Sequence, residues 1–434
     1  MAIDFDAVVI GAGPAGASAA ILLSRAGWSV ALIEKQPFPR RKVCGECIAA
    51  SNLPLLDALG IGAPFKALAG PELRKLALLR GRDSVVADLP AGANPAQRWG
   101  RALGRETLDT LLLEQARSAG ALILQPWSVQ SVEGAPGAWR CVIRSVDSGA
   151  ARTLTARLAI DAHGSWQALP WARNQPQRSR RGSDLLAFKA NFRATTLTPG
   201  LLPVLSLKGG YGGMVVGDAG LTTLACCIRR DRLEGGTRAS GQRAGEAVGA
   251  LLGRECAGVR RALHNAARDG PWLAAGPIAP GIRLRGDDQI FRIGNCAGEA
   301  HPILGEGISM ALQSAWLLCA RLLPGAALGA PPDGAGQRDA ARQYAADWRR
   351  AFAPRVRLAA LFAHLAMHPM LAAPLLALAR AWPGLLTLGA RLGGKARCAV
   401  SPALIARLSN AAAPAAGADA AAQDPTPAAL WPAT

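Results

Sequence analysis

The segment AVVIGAGPAG, residues 7–16, decides the fold of this chain. Its first four residues have the pattern of a short buried strand, and the strand runs directly into three glycines. A helix of small residues is predicted over 15–26, and a second strand over 29–33 ends on Glu34. Strand, glycine turn, helix, strand and acid therefore occur in the order of a nucleotide-binding βαβ unit.

Each residue of this unit has a physical task. Gly11 permits the tight strand-to-helix turn, Gly13 lets a pyrophosphate approach the backbone, and Gly16 allows the helix to pack closely on the strand. The free N–H groups at the helix start attract phosphate. Glu34 is placed to accept hydrogen bonds from a ribose diol, and an acid at this position argues against a 2′-phosphate on the adenosine. The segment predicts a dinucleotide site.

A second glycine-rich segment lies near residue 300. The sequence FRIGNCA, residues 291–297, is followed by Pro302, Gly305, Glu306 and Gly307, and a helix is predicted from Ile308. The amino-terminal end of that helix would stabilise negative charge on a neighbouring group. Two such segments far apart in the chain indicate one large nucleotide cofactor held at both ends.

Bulk properties limit the class of protein. The 434 residues are 50% hydrophobic and 18% charged, with a formal net charge of +19, and they suggest two or three domains. The charge indicates either an anionic surface or substrate, or arginines spread over the surface. No nucleic-acid-binding module is recognisable, so we expect no nucleic-acid partner.

The cysteines and one apolar stretch bear on location. The nine cysteines are irregularly spaced and no signal peptide is recognisable, which favours the cytoplasm. Residues 358–379 carry no formal charge but include Pro369 and Pro374. We expect a helix broken near Pro369 that packs on the protein or lies at an interface, rather than a membrane span. Peripheral contact with the inner membrane face stays open.

The order of predicted elements implies a discontinuous α/β architecture. It combines a Rossmann-like nucleotide-binding domain, an inserted mixed or antiparallel β-sheet domain, and a helical C-terminal region. The predicted boundaries are 1–65, 99–170 and 286–325 for the first domain, 66–98 and 171–285 for the second, 326–409 for the helical region, and 410–434 for a disordered tail.

Three motifs resemble those of the FAD-dependent aromatic-hydroxylase superfamily, in particular its geranylgeranyl-reductase-like branch. They are residues 11–16 with Glu34, the sequence KVCGE at 42–46, and Gly294-Asn295 with 302–307. The resemblance implies FAD, with NAD(P)H as a transient electron donor and a hydrophobic small-molecule substrate. It also implies that the Rossmann-like domain is a FAD-binding domain of the glutathione-reductase type and that the inserted sheet domain binds the substrate. It assigns cofactor contacts to Gly11, Gly13, Pro14, Ala15, Gly16, Glu34, Lys35, Lys42, Arg105, Gly294, Asn295, Gly305, Gly307 and Ile308.

Some positions depart from the family pattern. Asn295 stands where the family has an aspartate that contacts the ribitol, and an amide can still hydrogen-bond a hydroxyl. The aspartate–glycine segment used for FAD and pyridine nucleotide is His163-Gly164-Ser165. Residues 210–214, GYGGM, lack the aromatic and proline elements of the reductases' substrate motif.

Five residues are candidates for the chemistry. We expect Cys44 and Glu46 to line the flavin pocket and Pro302 to shape the cavity above the ring. His301 is either a proton carrier or a structural histidine, and Tyr211 either orients a substrate hydroxyl or packs. Cys44 and Cys47 form a C-x-x-C pair whose redox use is the less favoured reading. No metal is expected, because His364 and His368 have no third ligand in view.

Three functions follow from these residues. The first is an NAD(P)H-dependent monooxygenase that hydroxylates a hydrophobic phenolic or polyketide-like molecule in a dry pocket. The second is a reductase of isoprenoid double bonds that uses Cys44 or Glu46 as a proton source. The third, the least favoured, is a flavin- or lipid-binding protein without turnover.

Overall fold

The computed structural model describes residues 3–165, 179–235, 242–323 and 330–410. Its helices are α1 (Pro14–Arg25), α2 (Leu53–Leu59), α3 (Gly62–Leu68), α4 (Arg105–Ser118), α5 (Arg230–Glu234), α6 (Ala244–Glu255), α7 (Ala257–Ala262), α8 (Gly307–Leu322), α9 (Gly334–Met367), α10 (Pro369–Ala381), α11 (Gly384–Leu392) and α12 (Pro402–Asn410). The predicted tail from 411 onward and the predicted boundary at 170 lie outside the described residues.

The strands alternate with these helices along the chain. They are β1 (Phe5–Ile10), β2 (Val30–Ile33), β3 (Cys47–Ile48), β4 (Lys75–Arg80), β5 (Asp83–Asp88), β6 (Arg101–Ala102), β7 (Leu122–Leu124), β8 (Trp127–Ala135), β9 (Ala138–Ser145), β10 (Ala151–Asp161), β11 (Leu185–Arg193), β12 (Leu201–Leu207), β13 (Gly210–Val216), β14 (Thr222–Arg229), β15 (Ala267–Ala275), β16 (Gly281–Ile282), β17 (Phe291–Arg292) and β18 (Gly298–Glu299).

The first sheet has the strand order β7-β2-β1-β10-β9-β8, and β17 also pairs with β10. Strands β7, β2, β1, β10 and β17 are parallel, whereas β8 and β9 form an antiparallel extension. Ile10 pairs with Asp161, which in turn pairs with Arg292. The carboxyl ends of three strands therefore meet at one edge, where ligands of open α/β sheets bind.

Glycine is required at two positions where the first strand turns into α1. Gly11 has φ of +102°, and a Cβ there would lie 2.6 Å from the carbonyl oxygen of Ala162. A Cβ on Gly16 would lie 1.9 Å from the carbonyl oxygen of Gly11. Pro14 occupies the first turn of α1, where its missing N–H costs no hydrogen bond.

The second sheet has the order β15-β11-β14-β13-β12-β4-β5 and is antiparallel except where β12 runs parallel to β4. Helices α6 and α7 cover one face through a cluster that includes Phe188, Leu224 and Val248. The other face carries Ala187, Tyr211 and Cys227, which pack with Ala363 of α9. The α/β class, the mixed second sheet and the helical C-terminal region are confirmed.

Helix α9 connects the two sheets. Its first half buries Trp348 and Phe352 in the core of the nucleotide-binding sheet and α1. Its last turn meets the second sheet, where Ser206 Oγ donates to the carbonyl oxygen of Ala366 at 2.8 Å. The chain then breaks before Pro369, as predicted, and α10 leaves at 102° to α9. In the described chain no single helix is long and apolar enough to cross a bilayer. Helices α9 and α10 reach the length and apolar composition of a membrane span only when they are taken together.

Candidate functional site

A cavity of about 600 Å³ lies between the glycine edge of the first sheet, the second sheet and the C-terminal helices. Of the fourteen residues predicted for the cofactor, ten line it: Gly13, Pro14, Ala15, Lys42, Arg105, Gly294, Asn295, Gly305, Gly307 and Ile308. Of the five predicted for chemistry, Cys44, Glu46, Tyr211 and Pro302 also line it. Predicted residues up to 295 positions apart in sequence (13 to 308) therefore line the same cavity.

Five predicted residues lie outside the lining. Gly11 lies in the turn before α1 and Gly16 in the first turn of α1, and the role of both is steric. Glu34 is buried, and its carboxylate accepts from Ala12 N and Gln36 N at 2.9 and 3.0 Å. Lys35 points outward and is exposed. His301 touches the cavity only through its partner Tyr211.

Three cations gather beside Gly13. Arg105 binds Asp109 with two hydrogen bonds of 2.8 and 2.7 Å, and Arg40 Nη1 lies 3.1 Å from the same carboxylate. Although burial opposes it, Asp109 raises the pKa of Arg105 above its usual value. Lys42 lies in the same group, and burial together with the neighbouring Arg105 and Arg40 lowers its pKa to about 8. Arg40 Nη2 also lies 3.6 Å from Glu34 Oε2, so two carboxylates face three cations and the cluster keeps an excess of one positive charge.

Glu46 is the centre of a buried polar network. Its backbone has φ of +56°, and its Oε1 accepts from Arg105 N at 2.8 Å and from the ammonium group of Lys189. Its Oε2 accepts from Thr223 Oγ1 at 2.6 Å. Because both oxygens are engaged, the geometry favours a positioning role for Glu46 over the proton-source role considered from the sequence.

The second glycine segment meets the first at the start of α8. Gly294 has φ of +60°, and a Cβ there would lie 3.0 Å from the Cβ of Ala15. Gly294 N donates to Ser314 Oγ at 2.8 Å, and Asn295 Nδ2 donates to Ser165 Oγ at 2.7 Å. A Cβ on Gly307 would meet no atom within 4 Å, so the first turn of α8 faces open space.

A buried cluster of charged side chains lies next to the start of α8. Glu306, the residue before α8, lies 3.5 Å from Lys395 Nζ and 3.6 Å from Arg355 Nη1. Burial raises the pKa of Glu306, although both cations oppose that shift. Lys395 also lines the cavity and donates to the carbonyl oxygen of Gly305 at 3.2 Å. The helix dipole and Lys395 together favour negative charge at this end of the cavity.

Tyr211 and His301 form a hydrogen-bonded pair at the boundary with the second sheet. Tyr211 Oη and His301 Nδ1 are 3.0 Å apart, and the rings meet edge to face. Burial raises the pKa of Tyr211 well above its usual value and lowers the pKa of His301. Both directions keep the pair uncharged at neutral pH, so it can hydrogen-bond a neutral hydroxyl group.

The C-x-x-C cysteines have unequal surroundings. Cys44 is partly exposed and accepts from Glu46 N at 3.3 Å, whereas Cys47 is buried in β3. Both thiols are free, and burial raises the pKa of Cys47. A raised thiol pKa is unfavourable for thiol–disulfide exchange. Because Cys44 is partly exposed and Cys47 is buried, Cys44 is the more accessible proton carrier of the two.

Asp161, His163 and Cys296 also come together behind the cavity. Their candidate ligand atoms lie within 4.8 Å of one another, and His163 Nδ1 is hydrogen-bonded to Asp161. Sequence reasoning did not group them, because they come from two strand ends that only the sheet brings together. The expectation of no metal stays a prediction.

Other residues of the site were also missed from sequence. Lys189 and Thr223 belong to strands of the second sheet, and Lys395 lies in the helical region. None belongs to a glycine motif. Only Arg40 carried a signal, since it lies two residues before the KVCGE segment that begins at Lys42.

The residues present fit FAD. Gly13 leaves room for a pyrophosphate, since an added Cβ would approach only Arg105 Nη2, at 3.6 Å. Arg40 Nε is buried without a hydrogen-bond partner among the described residues, and a phosphate oxygen would satisfy it. The excess charge of the cluster beside Gly13 matches a pyrophosphate, and the open α8 start matches a flavin ring that becomes anionic on reduction.

The fold and this cavity define a nucleotide-binding flavoprotein. Residues 4–353 match the family described as FAD binding domain, so the chain belongs to that family. The match confirms the FAD-binding family that the three sequence motifs indicated.

Two curated proteins are similar in sequence. Conditioned medium factor receptor 1 of Dictyostelium discoideum is 25% identical over 351 residues, which are 74% of this chain and 63% of that protein. Menaquinone reductase of Mycobacterium tuberculosis is 37% identical over 120 residues, which are 27% of this chain and 28% of that protein. The chain thus spans less than two thirds of the length of either relative.

A solved structure shows how far the fold extends. The myxobacterial chondrochloren halogenase CndH superposes with a TM-score of 0.69 at 18% identity, covering 94% of this chain and 96% of that one. At this identity the likeness concerns the fold alone. It includes the C-terminal helical region as well as both sheets, because nearly the whole chain is covered.

Proposed function

We propose that this FAD-dependent oxidoreductase is an NAD(P)H-dependent monooxygenase that hydroxylates a phenolic or polyketide-like molecule bearing a long apolar chain. The proposal rests on one observation: the cavity has a polar group at one wall and is apolar beyond it. A neutral Tyr211–His301 pair lies at one wall, and apolar side chains continue from there to α10 and α11. Such a cavity suits a substrate with one hydroxylated ring and a hydrophobic tail.

The reaction would consume NAD(P)H, a proton, oxygen and the substrate, and would yield the hydroxylated product, NAD(P)⁺ and water. Bound FAD supplies the two-electron transfer and the reaction with oxygen. The cations beside Gly13 would hold the pyrophosphate, and the start of α8 with Lys395 would stabilise negative charge at the ring. Tyr211 would orient the phenolic hydroxyl while the apolar walls exclude water.

The test compares two substrates and one substitution. With FAD-loaded protein, a phenol with a long alkyl chain should stimulate NAD(P)H oxidation and oxygen uptake, whereas the chain-free phenol should do so at much higher concentration. Tyr211→Phe should lower kcat/KM for the phenol by about tenfold, the usual effect of one lost neutral hydrogen bond. Product carrying one atom from labelled oxygen gas would support hydroxylation; oxygen uptake that yields only peroxide with every phenol would contradict it.

A reductase of isoprenoid double bonds is the second candidate. It is favoured by the apolar length of the cavity, by Cys44 as an accessible proton carrier, and by the 37% identity with menaquinone reductase over 120 residues. NAD(P)H and a proton would add two hydrogens across one C=C bond. Oxygen-independent oxidation of NAD(P)H by a polyprenyl lipid, with a mass gain of two hydrogens and its loss in Cys44→Ala, would favour this reaction over hydroxylation.

A further inference from the structure

The end of α9 and helices α10 and α11 present an exposed apolar surface, here called the apolar platform. Nine of the fifteen large hydrophobic side chains exposed in the described residues belong to it: Leu361, Met370, Leu371, Leu375, Leu378, Trp382, Leu385, Leu388 and Leu392. Met370 is 87% exposed and Trp382 is 65% exposed. Isolated exposed leucines are ordinary, but this concentration within 32 consecutive positions (361–392) marks an interaction surface.

Helical spacing shows that the platform is organised. In α10 and the residue directly after it, Leu371, Leu375, Leu378 and Trp382 follow one another at intervals of four, three and four residues. In α11, Leu385, Leu388 and Leu392 follow at three and four. These intervals place the side chains of each helix on one face.

Polar contacts fix the opposite sides of these helices to the second sheet. Arg380 pairs with Asp83 at 2.5 Å, and Thr387 Oγ1 donates to the carbonyl oxygen of Asp88 at 2.7 Å. Arg80 also donates to the carbonyl oxygen of Pro369 at 3.2 Å. The helices are therefore anchored on the side opposite the platform, where Leu376 of α10 also packs with Val85 of β5.

The chain segment that carries the platform contains charged residues of one sign only. From residue 348 to residue 410 the sequence contains nine Lys or Arg and no Asp or Glu. Arg357 lies one helical turn before Leu361, and Arg391 lies three residues after Leu388, so each cation shares a face with a platform residue. Both arginines are exposed, and neither forms an ion pair with a described residue.

The cavity reaches this surface. Leu375, Leu378 and Leu385 each line the cavity and are 38–41% exposed. The same side chains thus contact both the interior space and the exterior. An apolar molecule that leaves the cavity at this point meets the platform before it meets water.

We propose that the apolar platform docks on an anionic lipid surface, with its leucines, Met370 and Trp382 in the acyl–headgroup boundary and Arg357 and Arg391 on the phosphates. Apolar burial and cation attraction act together at such a surface. Helix α10 has 13 residues, too few to span a bilayer, so docking is peripheral. Docking rests on this surface alone; direct passage of a lipid-like substrate from the bilayer into the cavity rests also on the proposed function.

The experiment measures flotation of the FAD-loaded protein with vesicles, without substrate. The vesicles contain phosphatidylcholine alone or equal parts of phosphatidylcholine and phosphatidylglycerol. Wild type should float with the anionic vesicles, and high salt should weaken this binding. Trp382→Glu/Leu388→Glu, which changes no cavity-lining residue, should lower the partition by at least about tenfold. Arg357→Gln/Arg391→Gln should remove the preference for the anionic lipid.

Val146→Glu is the matched control. Val146 and Leu388 are each 50% exposed, but Val146 lies in the turn after β9, away from the platform. This variant should float like wild type, and an unchanged FAD absorbance in all variants would show that they fold. Equal flotation of Trp382→Glu/Leu388→Glu and wild type would overturn the proposal, as would a dimer in solution that this substitution converts to a monomer. Because no turnover is measured, failure of the monooxygenase reaction would leave this result unaffected.

Discussion

Two glycines of the nucleotide-binding turn differ in how much space their surroundings leave for a side chain. Gly16 has no room for a side chain, because its Cβ would lie 1.9 Å from the carbonyl oxygen of Gly11. Gly13 has ordinary helical-start backbone, with φ of −69°, and its Cβ would meet only the end of Arg105 at 3.6 Å. Gly16 is therefore required by the fold, whereas Gly13 leaves room for the ligand.

We therefore expect Gly16→Ala and Gly13→Ala to separate stability from binding. Gly16→Ala should lower the free energy of unfolding by about 1–3 kcal/mol or prevent folding, as overpacking does. Gly13→Ala should keep the melting temperature of the cofactor-free protein, while FAD binds more weakly because the methyl group occupies the pyrophosphate's approach. Denaturant unfolding and FAD titration check the pair. Equal FAD affinity in Gly13→Ala and wild type would contradict this assignment.

Lys42 makes cofactor binding depend on pH. Its pKa is about 8, so it is cationic below that pH and becomes neutral above it. A pyrophosphate prefers the cation, so FAD affinity should be constant below pH 8 and should fall as pH rises through the pKa. The measurement is the Kd for FAD across this range by quenching of flavin fluorescence. Lys42→Arg should remove the pH dependence, because arginine stays charged. A wild-type Kd that does not change above pH 8 would refute the assignment.

The lowered pKa of Lys42 has the opposite effect on the stability of the cofactor-free protein: this stability increases as pH rises. Lys42 has a folded-state pKa below its unfolded value of 10.5, so the unfolded chain binds more protons between pH 8 and 10.5. The contribution of Lys42 to stability is therefore unfavourable below pH 8 and is relieved as pH rises through that window. Bound pyrophosphate would remove this penalty by pairing with the cation.

At the scale of elements, one ion pair ties the KVCGE loop to the second sheet. Glu46 accepts from Lys189 of β11 and Thr223 of β14, and from the backbone N of Arg105 at the start of α4. Glu46 is 4% exposed and Lys189 is 1% exposed. The loop that lines the cavity is thus held by the second sheet and by the start of α4 through a single carboxylate.

Removing one partner of this pair should cost more than removing both. Glu46→Gln leaves a buried lysine without its counter-charge and should destabilise the fold by about 3–5 kcal/mol. Glu46→Gln/Lys189→Met should recover a large part of that loss. Chemical denaturation of the three proteins gives the coupling energy. If the double variant also keeps turnover, Glu46 positions the loop; if its stability returns but turnover does not, Glu46 is the proton source instead.

At the scale of the whole molecule, the cavity is the place where the parts meet. The first sheet supplies the glycine edge, the second sheet supplies Tyr211 and Cys227, and α8–α11 close the remaining sides. Because α9 packs on both sheets, movement of one part changes the walls contributed by another. A ligand that fills the cavity should accordingly stabilise the molecule as a unit.

We expect FAD to raise the midpoint of a single thermal transition. At a free concentration one hundred times its Kd, FAD should add about 2.7 kcal/mol to the free energy of unfolding. ADP, which carries only the adenosine–pyrophosphate half, should give a smaller shift at equal concentration. Differential scanning calorimetry checks this expectation. Two separate transitions, of which FAD moves only one, would show that the cavity does not couple the parts.

The nucleotide end of the site was predictable from sequence because its chemistry is local. Gly11, Gly13, Gly16 and Glu34 lie within one βαβ unit, where backbone geometry fixes their spacing. The second glycine-rich segment, Gly294–Gly307, was recognisable for the same reason. The break before Pro369 followed from the proline itself.

Only the tertiary structure decided which distant side chains complete the cavity. Lys189, Thr223 and Lys395 have no local pattern, since strand pairing and helix packing bring them to the KVCGE loop and to α8. Sequence alone determined that the chain forms a dinucleotide-binding unit, because hydrogen bonding and steric limits act within neighbouring residues. FAD as the expected cofactor came from the resemblance of three motifs to a known family. The neutral Tyr211–His301 pair, the engaged carboxylate of Glu46 and the exposed leucines of α10 and α11 depend on long-range packing, which local sequence does not encode.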